Sequence, residues 1–161
     1  MDAEIFEEIY KKYFDMIYRI AFVYMKNEED ALDIVQDVFI KVWNGKVVVE
    51  EEKGLKAWFV VTTSNACKSK LKSWWIKKRS DYSNVDENKS YNNTILSNSN
   101  VLEKVMSLES KYRIPIYLYY YEGYTTIEIG KLLGISDSTI RNRLAKARKL
   151  LKISLTDEEV G

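Results

Sequence analysis

Between Lys53 and Arg79 the chain places eight Lys or Arg, no acid and three of its four tryptophans. Cations at that density attract a polyanion, and indole rings set among them can stack on bases or wedge between them. Indexed at about 100° per residue, Ala57, Val60, Ser64, Cys67, Leu71 and Trp74 share one arc, and Asn65, Lys68, Lys72 and Arg79 another. Trp75 falls on the seam and Trp58 beside the charged side. The segment reads as a helix that packs one side inward and offers the other to nucleic acid. Taken by itself, it fits a core helix with a solvated lysine face equally well.

A second constellation is acidic. Asn27 followed by Glu28, Glu29 and Asp30 reads as an N-cap with acids in the first helical turn, where the helix dipole favours them. The helix it starts should run to about Asn44 and stop at Gly45. Ala31, Val35, Val38, Phe39 and Val42 face inward, leaving Asp30, Asp33 and Asp37 on the opposite side with Gln36 and Ile40 at its flank. Glu29, Asp30, Asp33 and Asp37 have the spacing of a helical cation site. Such spacing more commonly makes a solvated or partner-binding face than a metal centre.

The most specific local pattern is TTIEIGKLLGISDSTIRNRLAKARKLLK, from Thr125. A helix from about Thr126 to Leu133 buries Ile129 and Leu133, breaks at Gly134 and restarts at Ser136. Gly134 supplies the positive φ of a tight turn, Ser136 a cap, and Asp137 an acid at the new helix start. Gly130 leaves room where the two helices approach near Ile135. In the second helix Ile140, Leu144, Ala147 and Leu151 face inward, while Ser138, Asn142, Ala145 and Lys149 point out with Thr139, Arg141 and Lys146 alongside. Six Lys or Arg and no acid follow from Ser138 to Ser154, Arg143 among them. This is a helix-turn-helix whose second helix carries short polar and forked groups for base edges and longer cations for phosphates.

These elements sit in an otherwise helical chain. Residues 3–25 repeat Ile5, Phe6, Ile9, Tyr13, Ile17, Ile20 and Tyr24 at helical spacing without Gly or Pro. Val101 to Leu108 forms a short helix, and Tyr112 to Tyr121 another that is apolar nearly all round and ends at Gly123. Between 80 and 100, 11 of 21 residues are Ser or Asn, too polar to offset the entropy of ordering, so a flexible linker is expected there. The fold class is all-α, with two small helical domains at 1–79 and 101–161 joined by the linker 80–100.

The formal net charge of +1 conceals a segregation: residues 1–52 hold 6 basic and 13 acidic groups, residues 53–79 hold 8 and 0. With no histidine and one cysteine, at an apolar helical position, the usual zinc ligands and the commonest general base are missing. An enzyme, a metal and a cofactor are therefore not expected. No run approaches the ~20 apolar residues of a membrane span, and no N-terminal signal pattern is present. A cytoplasmic location, without membrane insertion, is expected.

The runs DALDIVQDVFIKVW (Asp30 to Trp43) and KAWFVVTTSNACKSKLKSWW (Lys56 to Trp75), then a variable linker and a helix-turn-helix ending RNRLAKARKLLK, resemble a bacterial sigma-70-type factor of the small extracytoplasmic-function group. The likeness covers nearly the whole chain except the linker and the tail after about Ile153. It implies a protein that binds core RNA polymerase and directs it to promoters. Asp33, Gln36, Asp37 and Ile40 match the region that binds the clamp helices of the polymerase large subunit. Asn65, Lys68, Lys72, Trp74, Trp75 and Arg79 match the part that reads and melts the −10 element, on double- and then single-stranded DNA. Ser138, Thr139, Arg141, Asn142 and Lys146, with Arg143 and Lys149 beside them, match the reader of the −35 element. Members are commonly restrained by an anti-sigma factor. Two departures from the family pattern are Glu109, where proline is common, and Gly130, where alanine is. The residues by themselves also admit a stand-alone helix-turn-helix regulator dimerising through its N-terminal helices, or a metal-dependent nuclease on the acidic helix.

Overall fold

The computed structural model describes residues 2–45, 52–80 and 100–154, without side-chain description at 52–53, 78–80, 100 and 153–154. The expected linker at 80–100 and the side chain of Arg79 lie outside the described residues. All described elements are helices, and the chain divides into two compact units, Met1–Ile95 and Leu96–Gly161.

Three helices build the first unit: α1 (Ala3–Met25), α2 (Glu28–Trp43) and α3 (Glu52–Ser80). Asp2 caps α1, its carboxylate accepting the Glu4 N–H at 2.8 Å. The helix ends at Lys26 with φ 62°, a left-handed cap on a residue with a Cβ, closed by its N–H on the Phe22 carbonyl at 2.8 Å. Asn27 follows at once and caps α2, accepting the Asp30 N–H at 2.8 Å and donating to the Asp30 carboxylate at 2.6 Å. Two caps in consecutive residues fold the chain back within one turn, so α1 and α2 pair along their apolar faces.

The core of this unit holds Ile17, Tyr18, Ile20 and Phe22 of α1, Ala31, Ile34, Val35, Val38 and Val42 of α2, and Phe59 of α3, with Tyr13 and Phe39 around the Phe59 ring at centroid distances of 4.8 and 5.9 Å. On α3 the inward face is Phe59, Val60, Thr63, Ser64 and Cys67. This corrects the arc read from periodicity: Ala57 and Leu71 are half-buried, and Trp74, placed inward, is 36% exposed. Among the described residues of α3, buried positions stop at Cys67, and residues 72–77 are all exposed.

The second unit comprises α4 (Asn100–Ser107), α5 (Ser110–Tyr120), α6 (Thr126–Leu133) and α7 (Asp137–Ser154). Apolar residues of all four helices meet, among them Val105, Ile116, Leu118, Ile129, Ile140 and Leu144. α5 continues through a buried Pro115, whose missing N–H costs it one ladder bond. The run from Ile116 is not apolar-buried throughout, because Tyr120 and Tyr121 are exposed at the helix end. Arg113, also buried, donates from Nη1 to the Leu108 carbonyl at 2.8 Å and so satisfies the chain leaving α4.

The turn between α6 and α7 follows the sequence pattern closely. Thr125 and Glu128 form a reciprocal capping box, with Thr125 N–H to Glu128 at 3.0 Å and Glu128 N–H to the Thr125 hydroxyl at 3.2 Å. Gly134 ends α6 at φ 70°, and Ile135 N–H bonds the Gly130 carbonyl at 2.9 Å. A Cβ on Gly130 would lie 2.5 Å from the Ile135 carbonyl oxygen, which accounts for a residue without a side chain at this approach. Leu133, expected to be buried, is half-buried.

Gly130→Val forces that carbonyl away and is expected to destabilise the second unit by ~1–3 kcal/mol. All four tryptophans lie in the first unit, so denaturation followed by circular dichroism should show the loss while tryptophan fluorescence keeps its midpoint. An unchanged dichroism transition would show that the turn relaxes freely.

Candidate nucleic-acid and protein interfaces

On α2 the buried residues Ala31, Ile34, Val35, Val38, Phe39 and Val42 fix the opposite face in place. Asp33, Gln36, Asp37 and Ile40 are exposed together on that face, Ile40 at 57%. Leu32 and Trp43 are also exposed on α2, so the surface is part carboxylate and part apolar. Sequence reading missed these two apolar members because they lie at the edge of the helical stripe. Trp43 is steadied by Phe6 of α1, edge-on at 5.1 Å.

A tie between helices was also missed. Lys70 of α3 donates to the Asp33 carboxylate at 3.0 Å and sits 3.8 Å from Asp30. Partial burial works against its charge, but the Asp33 hydrogen bond and the charges of Asp33, Asp30 and Asp37 outweigh that and hold its ammonium above its ordinary pKa. The partners are 37 residues apart, and no local pattern signals a pairing of that separation. Asp30 and Asp33 are thus engaged by Lys70 and, for Asp30, by Asn27. Among the described residues no group of three or more His, Cys, Asp or Glu is arranged to hold a metal ion.

α3 carries its other charged groups and two of its indoles out of the core. Asn65, Lys68 and Lys72 are exposed, with Trp74, Trp75 at 55% and Ile76 at 61%. The two indoles meet edge-on at 5.5 Å. Five of the six residues singled out on this helix are therefore exposed, and of these only the two indoles are in ring contact among the described residues. Trp58 lies apart, half-buried and edge-on to Phe59 at 5.3 Å. The inner side of the same helix is dry: burial pushes the Cys67 thiol well above its ordinary pKa, against the pull of the Lys70 charge.

On α7 the buried Ile140, Leu144, Ala147 and Leu151 turn Ser138, Arg141, Asn142, Ala145, Lys146 and Lys149 to solvent. Thr139 and Arg143 are half-buried at the flanks. Arg148, which sequence reading did not single out, points back to α5, donating from Nε to the Tyr120 hydroxyl at 2.8 Å with its guanidinium 5.5 Å from the Tyr119 ring centroid. The helix start is set by Ser136, whose hydroxyl accepts the Thr139 N–H at 3.3 Å. Among the described residues no helix is long and apolar enough to cross a membrane.

An acidic and apolar face on α2, a basic aromatic end on α3 and a helix-turn-helix are together the features of a helical nucleic-acid-binding protein. The sigma-70 region 2 family profile matches residues 9–76, and the sigma-70 region 4 profile residues 99–151. The chain is 31% identical to RNA polymerase sigma factor SigV of Bacillus subtilis over 149 residues, covering 89% of this chain and 87% of that protein. It is 25% identical to the extracytoplasmic-function sigma factor SigW of the same organism, over 97% of this chain and 91% of that one. A solved structure of the sigma factor RpoE in complex with the anti-sigma factor NepR, from Bartonella quintana, shares the fold with a TM-score of 0.73 at 20% identity, over 93% of this chain and 96% of that one. The chain belongs to the sigma-70 family of RNA polymerase sigma factors, in its extracytoplasmic-function group.

Because the Cys67 thiol is held neutral by burial, a thiol-reactive disulfide reagent at pH 8 should leave the native protein unlabelled and label it within minutes in denaturant. The raised pKa means this group contributes stability below the ordinary thiol range near pH 8.5 and loses it as pH rises above that. Rapid labelling of native protein would show that α3 opens around Cys67.

Proposed function

We propose that this sigma factor docks on core RNA polymerase, at the clamp helices of its large subunit, through Asp33, Gln36, Asp37 and Ile40 of α2. Asn65, Lys68, Lys72, Trp74, Trp75 and Arg79 of α3 meet the −10 element and stabilise its open form. Ser138, Thr139, Arg141, Asn142, Arg143, Lys146 and Lys149 of α7 read and anchor the −35 element. Residues 1–79 and 101–161 divide these tasks, with 80–100 spanning them. The reading rests above all on the run of exposed residues at 72–77, where Lys72 and Lys77 flank two indoles and an isoleucine.

No bond is made or broken by this protein in that scheme; binding energy does the work. Opening a base-pair step costs about 1.4 kcal/mol, and an aromatic side chain under an unpaired base returns ~1–3 kcal/mol. Two indoles together with the phosphate contacts of the lysines are enough to hold a few steps open once the duplex is fixed in register. That register comes from the polymerase and from α7, which raise the local concentration of the −10 segment at α3. Each DNA-binding element by itself is short, so the free protein should bind promoters weakly. The setting is the cytoplasm, and an anti-sigma factor would act by covering the α2 and α3 faces; the similar RpoE structure is a complex with an anti-sigma factor, NepR.

A stand-alone helix-turn-helix regulator would leave the mixed acid and apolar face of α2 and the exposed end of α3 without a task. A nuclease would need the α2 carboxylates to converge, whereas Asp30 and Asp33 are engaged by Lys70.

Purified core polymerase with this protein should start transcription from a promoter that core cannot use unaided. The double variant Asp33→Lys, Asp37→Lys should lose core binding by at least ~100-fold, with helical content by circular dichroism unchanged. Core affinity within a factor of two of the starting protein would remove α2 as the docking face.

A further inference from the structure

The first turn of α7 contains one carboxylate on a helix otherwise devoted to cations. Asp137 Oδ2 forms an ion pair with Arg141 Nε at 3.1 Å, one turn along the helix. Its other oxygen, Oδ1, is buried and has no hydrogen-bond partner among the described residues. The two ends of the pair differ in exposure: the arginine side chain is 64% exposed, the aspartate 36%. Next to them the Ser136 hydroxyl donates to Thr139 Oγ1 at 2.8 Å, so the turn on which Asp137 sits is itself held by side-chain bonds.

A carboxylate at the DNA-facing start of this helix repels phosphates, and the dipole of α7 alone would be served by an acid that touched nothing. What the geometry adds is a grip on Arg141. A free arginine samples many rotamers and must surrender them on binding, whereas one held at its inner nitrogen starts closer to a single orientation. The pair approaches most closely at Nε, on the inner side of the guanidinium, and no other residue forms an ion pair or hydrogen bond with Arg141 among the described residues. The two terminal nitrogens of a guanidinium form the fork that guanine O6 and N7 accept in the major groove.

We propose that Asp137 is a positioning residue for promoter recognition: by pairing with Arg141 Nε it orients the guanidinium to read one guanine of the −35 element. The proposal rests on α7 being the −35 reader. Asp137 touches no base in this scheme; it sharpens the preference that Arg141 expresses. A carboxamide at 137 keeps the shape and the buried oxygen but loses the charge that holds the arginine.

The test uses holoenzyme assembled from core polymerase and full-length protein, on a set of promoters in which each −35 base pair is changed singly. Arg141→Ala should flatten the preference at one G·C pair by about 10- to 100-fold while other positions keep theirs. Asp137→Asn should reduce discrimination at that same pair by about 2- to 10-fold, and should have no further effect in the Arg141→Ala background. Thermal unfolding of each variant is followed alongside, since a purely helix-capping role lowers the melting temperature in both backgrounds and leaves discrimination untouched. If Arg141→Ala shows its position-specific loss while Asp137→Asn discriminates like the starting protein, or weakens all promoters alike, the positioning role is overturned and the −35 assignment stands. If Arg141→Ala weakens every promoter equally, Arg141 contacts phosphate and both the assignment and the proposal fall.

Discussion

The constraint behind this fold is that charge stays in water while apolar surface does not. α3 is one continuous helix from Glu52 to Ser80, yet its two halves meet different fates. Phe59, Val60, Thr63, Ser64 and Cys67 lie in a dry interior with α1 and α2. From Lys72 onward lysines recur too often for any packing of that helix to bury it without stranding cations, at a cost of several kcal/mol each. Residues 72–77 therefore stay exposed, Trp74, Trp75 and Ile76 among them. Large apolar groups kept in water by neighbouring charges suit a ligand that is both anionic and flat-faced, which is the basis for proposing unpaired DNA there.

The same balance shapes the other two surfaces. α2 and α7 each commit a stripe of aliphatic residues to a core, which turns the remaining faces outward with opposite sign. Neither face is electrostatically idle. Lys70 bridges to Asp33 and Asp30, and Asp137 pairs with Arg141. Pairs as exposed as these are worth at most about 1 kcal/mol, so a partner can exchange them without unfolding anything. They restrain side chains more than they stabilise the helices.

How much of this was legible in the chain depended on whether the signal was local. The helix-turn-helix was readable in detail, because a positive-φ glycine, a serine cap and a glycine at a close approach are each written in adjacent residues; the Thr125–Glu128 capping box went unread. The faces of α2 and α7 followed from spacing, and the region 2 and region 4 motifs carried the family. The inward arc of α3 missed Phe59 and Thr63 and ran too far past Cys67, since periodicity shows which residues share a side but not where the neighbouring core ends. Lys26 in a left-handed cap and Pro115 inside α5 run against residue preference. The Lys70 bridge joins residues far apart in sequence, and no pattern within a single helix encodes it. Arg79 and the 80–100 stretch lie outside the described residues.

The central claim is that the exposed indoles of α3 hold the promoter open. It is tested most directly by placing 2-aminopurine in the −10 segment and following its fluorescence as holoenzyme forms the open complex. With the unaltered protein, unstacking should raise the signal; with Trp74→Ala, Trp75→Ala the rise should fall by about tenfold or more, while core binding and −35 occupancy persist. An undiminished rise in the double variant would contradict the account, because melting would then owe nothing to the rings that this helix keeps in water.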